Sequence, residues 1–100
     1  MVTYEVTTLL KDPSIAQRFS AWMADEHIPK VMATGCFIAA ELAQLGADQF
    51  RSRYIAATRA DLDRYLEQHT AGLRDHFMRE FGDAASTSRQ EWEILKEWKP

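Results

Sequence analysis

The sequence predicts an α+β protein in which two helices cover one face of a four-stranded antiparallel sheet. Strand-like alternation occurs near both ends of the chain and twice in its middle, and apolar residues recur at helical spacing in the two stretches between. The resulting order is β-α-β-β-α-β, the order of the split βαβ motif. Right-handed crossovers then place both helices on the same side of the sheet.

The first strand is expected over residues 2–8, where β-branched and aromatic residues alternate with polar ones. A helix start is expected at Asp12 and Pro13, because aspartate is a good N-cap and proline lacks only an N–H that would be unpaired there. This helix should end or kink near Ile28, because the residue before Pro29 is disfavoured in helical geometry.

A hairpin is predicted next, with strands over residues 36–45 and 50–58 and a turn at 46–49. The sequence does not determine which face of the second of these strands points toward the helices. Either Tyr54 or Ile55 points toward the helices.

The last third of the chain predicts one long helix and a final strand. A capping-box-like run at 58–61 precedes helical periodicity over residues 62–81, which Gly82 terminates. A small-residue loop is expected at 84–88 and a strand over 89–98. That strand sets Trp92, Ile94 and Trp98 on one face against Glu91, Glu93 and Glu97 on the other.

Length and composition narrow the class of protein. A chain of 100 residues fits one domain, residues 1–100, with a ferredoxin-like fold. The net charge of -3 offers no basic surplus for nucleic acid. There is no leader-like N-terminus and no apolar run near the roughly 20 residues of a membrane span, so we expect a soluble protein without membrane contact. The single cysteine, Cys36, excludes an intrachain disulfide and fits the cytoplasm.

The sheet face without helices must meet water, a ligand or another chain. Acidic and basic residues of different strands are expected there and predict cross-strand ion pairs. A homodimer packed through this face is the main expectation, with Trp92 and Trp98 as possible anchors, and a solvated face is the alternative. The expected charged residues are Glu5, Glu41, Arg51, Arg53, and Glu91 or Glu93.

Several short segments give the chain a family resemblance. The sequence resembles a bacterial family of short uncharacterised proteins in the dimeric α+β barrel superfamily, which also includes antibiotic-biosynthesis monooxygenases and EthD-like proteins. The resemblance implies a ferredoxin-like fold and a dimer formed through the sheets. It implies no activity, because the superfamily hosts cofactor-free oxygenases, haem-degrading enzymes, cyclases and isomerases. The matching segments are 4–6 (Tyr-Glu-Val), 22–23 (Trp-Met), 27–29 (His-Ile-Pro), 34–37 (Thr-Gly-Cys-Phe), 65–67 (Tyr-Leu-Glu) and 81–82 (Phe-Gly).

His27 is the main candidate for chemistry. It lies at the edge of the apolar stripe of the first helix, and its ordinary pKa suits general acid–base catalysis. The alternative is an imidazole that satisfies backbone carbonyls where Pro29 interrupts the helix. Tyr54 and His69 would orient a ligand, or would simply pack in the core with one hydrogen bond each. His76 is expected to serve as a charge near a helix C-terminus.

Four more residues complete the candidate pocket. Trp22 and Met23 would form its apolar wall, and Phe37 joins them if the strand becomes regular only after it. Cys36 is either a nucleophile near a base or a small buried apolar residue. Without a His-x-x-x-His pair or a phosphate-binding loop, we expect no metal and no cofactor.

These residues support three functions. The first is binding of a small, partly apolar aromatic or carbonyl compound between helices and sheet. The second is cofactor-independent catalysis of the oxygenase, isomerase or cyclase type, with His27 as the acid or base. The third is a structural or protein-interaction dimer without chemistry.

Overall fold

The computed structural model describes residues 1–100 and contains one four-stranded antiparallel sheet. Its strands are β1 (Val2–Leu10), β2 (Ala39–Leu45), β3 (Gln49–Ala56) and β4 (Ala85–Glu93). Their spatial order is β2-β3-β1-β4, with every neighbouring pair antiparallel. This confirms the ferredoxin-like α+β fold expected from the order of the elements.

Helices pack on one face of the sheet. They are α1 (Ala16–Trp22), α2 (Ile28–Met32), α3 (Arg59–Gln68) and α4 (Thr70–Phe81). The predicted start is confirmed, because the Asp12 side chain accepts a hydrogen bond of 2.9 Å from the backbone N–H of Ser14. None of the helices has the length and apolarity needed to pass through a lipid bilayer.

The expected kink before Pro29 takes the form of a π-helical turn. Residues Met23–His27 form this wider turn between α1 and α2, and the backbone N–H of Ile28 bonds to the carbonyl of Met23, five residues earlier. A proline in a regular helix clashes with the carbonyl four residues before it, and the extra residue in the turn relieves that clash. The wider turn also sets the direction in which His27 leaves the helix.

The prediction of a single helix over residues 62–81 is wrong. The chain forms α3 and α4, separated at His69, whose φ of -124° and ψ of -30° are not helical. The β-branched Thr70 and the flexible Gly72 follow directly, and both lower helix propensity at this point. The stop at Gly82 is confirmed by its positive φ of 49°, which a side chain would strain.

Strand bounds in the predicted hairpin also needed correction. β2 begins at Ala39 instead of Cys36, because Cys36 and Phe37 are both buried while Ile38 is 61% exposed, which no alternating strand allows. β3 runs over Gln49–Ala56 instead of 50–58. Of the two residues that the sequence left open, Tyr54 is the one that points toward the helices and is buried.

The final strand lies earlier than predicted. β4 includes the small residues 85–88 that were expected to form a loop, and it ends before Trp98. Glu91 pairs in register with the buried Tyr4, so Glu91 and Glu93 face the helices, not the opposite side as expected. There Glu91 forms an ion pair of 2.6 Å with Arg59 at the start of α3.

The opposite face of the sheet, called here the open sheet face, carries the other expected charges. Glu41 on β2 contacts Arg51 at 3.0 Å and Arg53 at 3.2 Å on β3, so the predicted cross-strand ion pairs are confirmed. The indole N–H of Trp92 donates a hydrogen bond of 3.0 Å to Glu5 across β1 and β4.

Two aromatic clusters form the core between sheet and helices. One contains Tyr4, Phe37, Tyr54 and Tyr65. The other is built around Phe19, which is fully buried and packs against the aromatic rings of Phe50, Phe77 and Phe81. The boundary between the two clusters is where the structure leaves space.

Candidate functional site

A small cavity lies at the boundary between the two core clusters. We call it the seam cavity, and its volume is about 30 Å³. Tyr4, Tyr54 and Tyr65 line it from one cluster, and Met23 and Phe77 line it from the other. A single water needs roughly 10–15 Å³ on the same measure, so this space is large enough for one or two water molecules.

The remaining walls of the seam cavity are unusually polar for a space inside a small core. Four hydroxyl groups, two guanidinium groups and one imidazole reach it, and no carboxylate does. The chain therefore gathers hydrogen-bond donors here without an internal anion. These polar residues are Thr8, Ser52, Thr70, Thr87, Arg74, Arg89 and His27.

Among the residues that line the seam cavity, Arg89 has a buried donor without an acceptor; the same holds for Nε of Arg51 and Arg53 on the open sheet face. Arg89 lies on the helix-facing side of β4, and its Nη1 donates to the Thr87 hydroxyl at 3.1 Å. Its Nε–H is buried and has no acceptor in the protein. Leaving a buried donor unpaired costs about 1–3 kcal/mol, and more for a charged group. An oxygen acceptor entering the seam cavity would remove that cost.

The phenols of the seam cavity remain protonated at neutral pH. Burial raises the pKa of Tyr54 to about 12, a hydrogen bond with Ser52 lowers it in part, and neighbouring Tyr4 raises it further. Burial likewise raises the pKa of Tyr65, and Tyr4 and Tyr54 add to this effect. Both hydroxyls are therefore O–H donors to a ligand oxygen and not bases.

His27 and His76 form a direct pair. Their Nδ1 atoms are 3.1 Å apart, and their rings are almost parallel, with an interplanar angle of 8° and centroids 5.3 Å apart. The distance between the ring centroids is much longer than the distance between the two Nδ1 atoms. The rings therefore lie edge to edge, with the Nδ1 atoms facing each other. One Nδ1 must carry the hydrogen and the other must accept it. The pair is thus one N–H···N hydrogen bond.

Trp22 lies over this pair. Its ring is tilted by only 21° from His27 and 23° from His76, with centroid distances of 5.1 and 4.9 Å. Phe77 meets the His27 ring edge-on. An aromatic face over an imidazole stabilises its cation.

Burial and the neighbouring His76 lower the pKa of His27 to about 4. A protonated His27 ring would lose its hydration and would lie beside the His76 ring. His27 is therefore a neutral imidazole at physiological pH, and it lines the seam cavity.

The structure brings some of the predicted site residues together and separates others. Met23, His27 and Tyr54 line the seam cavity, and Trp22 contacts it through His27. Phe37 packs behind the cavity wall, 5.2 Å from Tyr54 and 4.8 Å from Tyr65 between ring centroids.

Cys36 and His69 lie elsewhere. Cys36 is buried, and its backbone N–H donates to the Thr34 hydroxyl at 3.3 Å, as in a tight turn. His69 stacks on the outer side of Tyr65 and lines a surface depression instead of the seam cavity. No three His, Cys, Asp or Glu side chains are grouped as a metal site would require.

Several residues of the site were not predicted as site residues from the sequence. His76 was expected only as a charge near a helix C-terminus, Tyr65 only as part of the family resemblance, and Arg89 only as the start of a strand. Thr87 and Arg89 are two positions apart, so a strand that begins at Ala85 places both side chains on the same face. No local pattern indicates the contact between His76 and His27, because the two are 49 positions apart in sequence.

The comparisons with known proteins identify the family. A family model described as "Domain of unknown function (DUF4286)" matches residues 1–95. The chain belongs to the DUF4286 family. This confirms the resemblance to an uncharacterised family with a ferredoxin-like fold. No functionally curated protein has significant sequence similarity to this family member.

Solved structures share the fold of this DUF4286 protein at low sequence identity. HapK from Hahella chejuensis has a TM-score of 0.73 and 17% identity, covering 100% of this chain and 98% of its own. A dimeric ferredoxin-like protein from an uncultured marine organism has a TM-score of 0.72 and 14% identity, covering 97% of both chains. SnoaB, a cofactor-independent oxygenase from Streptomyces nogalater, has a TM-score of 0.69 and 12% identity, covering 96% and 94%. Such identities establish the common fold alone.

Proposed function

We propose that this protein binds a small, partly apolar compound in the seam cavity through an oxygen of carbonyl, enol, phenol or carboxylate type. The observation that carries the proposal is the buried Nε–H of Arg89, a charged donor without a protein acceptor. Protonated Tyr54 and Tyr65 line the same space, and Met23 and Phe77 offer apolar contact to the rest of a ligand. A charged donor, neutral donors and an apolar wall together favour an oxygen-bearing organic molecule.

The small volume of about 30 Å³ sets a condition on binding. Ligand sites usually measure about 300–1,000 Å³, so this cavity must widen to admit a ligand. Arg74 is exposed on α4 and lines the cavity with a long flexible side chain. The interruption between α3 and α4 at His69 lies beside it and supports movement of the α4 start.

An enzymatic role is the second candidate, favoured by His27. A neutral imidazole in a cavity with donors for a developing oxyanion is the equipment for proton abstraction next to a carbonyl or from a phenol. SnoaB, which shares the fold, is described as a cofactor-independent oxygenase. We propose the general-base role for His27 of this chain only together with ligand binding. A dimer without chemistry stays the alternative.

We further propose a homodimer formed through the open sheet face. Leu45 is 68% exposed there and Trp92 is 54% exposed, which is unusual for large apolar side chains on one surface. A structure of the same fold is described as dimeric. The free buried thiol of Cys36 supports the proposed location in the reducing cytoplasm.

Ligand binding is tested by native mass spectrometry of the protein as purified from cells, before any dialysis. We expect an adduct of small-molecule mass on the wild type. Arg89→Met should weaken binding of that molecule about 10- to 100-fold, the effect of losing one hydrogen bond to a charged group. Arg79→Met, at an exposed arginine of α4, is the control and should bind normally. Equal retention by both variants would refute the role of Arg89.

The dimer is tested by light scattering coupled to size exclusion at fixed concentration. Trp92→Glu should give a monomer, because a carboxylate would be buried against the partner sheet. Met78→Glu is a matched control, since Met78 is 53% exposed but lies on α4, away from the sheet. A wild type that is monomeric, or a Trp92→Glu variant that stays dimeric, would contradict the proposed interface.

A further inference from the structure

The histidine pair connects two separate spaces in the molecule. His27 lines the seam cavity. His76 lines a surface depression of about 340 Å³ between α2 and the α3–α4 break, here called the outer hollow, together with Lys30, Thr34 and His69. The Nδ1···Nδ1 hydrogen bond of 3.1 Å between His27 and His76 joins the seam cavity to the outer hollow.

We propose that His76 relays protons between His27 and solvent, so that His27 exchanges protons with water through its partner and the outer hollow. This deepens, and rests on, the proposed acid–base role of His27. His76 touches no ligand in this scheme and acts through His27, so it is a positioning and relay residue.

The geometry sets the path of the proton. Because Nδ1 of His27 faces His76, Nε2 is its only nitrogen free to serve the seam cavity. When Nε2 takes a proton from a ligand O–H or C–H, the Nδ1–H of His27 passes to Nδ1 of His76. His76 is then an imidazolium and releases its Nε2–H to water in the outer hollow. Running the same steps in reverse returns one proton to the product, so protons and tautomers balance.

The surroundings favour transfer over storage of charge. No carboxylate lines either space, and the titratable groups that do are cations, phenols or another imidazole, so none of them would hold a proton on the pair as a counter-ion. Trp22 lies over both rings and supports the transient cation on either of them. These groups are Tyr4, Tyr54, Tyr65, Arg74 and Arg89 beside His27, and Lys30 and His69 beside His76.

The test is solution NMR on ligand-free protein labelled with ¹⁵N at histidine. Long-range ¹H–¹⁵N spectra distinguish Nδ1 from Nε2 and report the tautomer and titration of each ring. We expect the wild-type spectra to show one proton shared between the Nδ1 atoms of His27 and His76. His76→Gln keeps a hydrogen-bonding partner for His27 but cannot pass a proton through it.

In His76→Gln, exchange of the His27 ring protons with water should slow by about 100-fold, the lower end of what a positioned acid–base group contributes. His76→Phe serves as a second variant that keeps the stacking on Trp22 and removes the hydrogen bond. His69→Gln is the matched control in the same outer hollow and should leave His27 exchange unchanged. Unaltered exchange and titration of His27 in His76→Gln would overturn the relay. The experiment needs no ligand, so a failed relay and a failed binding proposal give separate results.

Discussion

Acid sensitivity of folding is the prediction that follows most directly from the buried position of His27. The residue is only 9% exposed, and burial and His76 lower its pKa from 6.5 to about 4. Between these two pH values the unfolded chain binds a proton at His27 that the folded protein does not bind. The free energy of unfolding therefore falls as the pH drops below 6.5, and this loss is complete below pH 4.

The size of the effect follows from the same pKa values. Each pKa unit corresponds to about 1.4 kcal/mol. Protonation of His27 therefore lowers the free energy of unfolding by about 3 kcal/mol between pH 7.5 and pH 4. Small domains are stable by about 5–15 kcal/mol in total, so this loss is large enough to measure. The amount belongs to the coupled His27–His76 pair, because the two rings share one hydrogen bond.

The assay is urea unfolding followed by tryptophan fluorescence at pH 7.5, 6, 5 and 4, with protein concentration held constant because association stabilises the folded state. His27→Gln has no titrating group, so the pH dependence of wild type should exceed that of the variant by about 3 kcal/mol. His69→Gln, at a histidine that lines the outer hollow, should follow wild type. Parallel curves for wild type and His27→Gln would show that His27 is protonated as easily in the folded protein as in the unfolded chain.

Three further substitutions test the fold. Phe19→Ala removes a fully buried ring that contacts three phenylalanines, and calorimetry should show a loss of about 3–5 kcal/mol, with a loss under 1 kcal/mol contradicting the packing. Gly82→Ala should destabilise by about 1–3 kcal/mol, because φ at this position is 49°. Gly72→Ala, in a helix with nothing within 4 Å of the added carbon, should stabilise by about 1 kcal/mol, and the same sign for both glycine variants would refute the assigned backbone geometry.

The fold was predictable because its signals are local. Alternation in residues 2–8 and helical periodicity after Pro13 and Thr58 reflect burial of one face, which each segment carries in its own sequence. The caps were equally readable, since Thr58 accepts a hydrogen bond of 3.2 Å from the Asp61 backbone N–H as expected. The errors lie where local signals were weak or contradictory, at the break of the long helix and in the bounds of β2, β3 and β4.

The position of β4 shows why. Residues 85–88 are small and polar, which predicts a loop. Antiparallel hydrogen bonds to β1 nevertheless make them part of a strand. The partner strand decides the outcome, because backbone pairing with β1 compensates for weak intrinsic strand propensity. That same pairing turns Thr87 and Arg89 toward the helices and so supplies the charged donor of the seam cavity.

The sequence by itself determined the order of the elements, the side of the sheet that the helices cover and the identity of His27 as a candidate base. Only the tertiary structure decided that His27 meets His76 under Trp22 and that Cys36 and His69 lie outside the cavity. Periodicity records which face of an element is buried, and this is a property of neighbouring residues. Contacts between polar side chains of different elements depend on strand register and on the π-helical turn before Pro29, which packing of the whole chain settles.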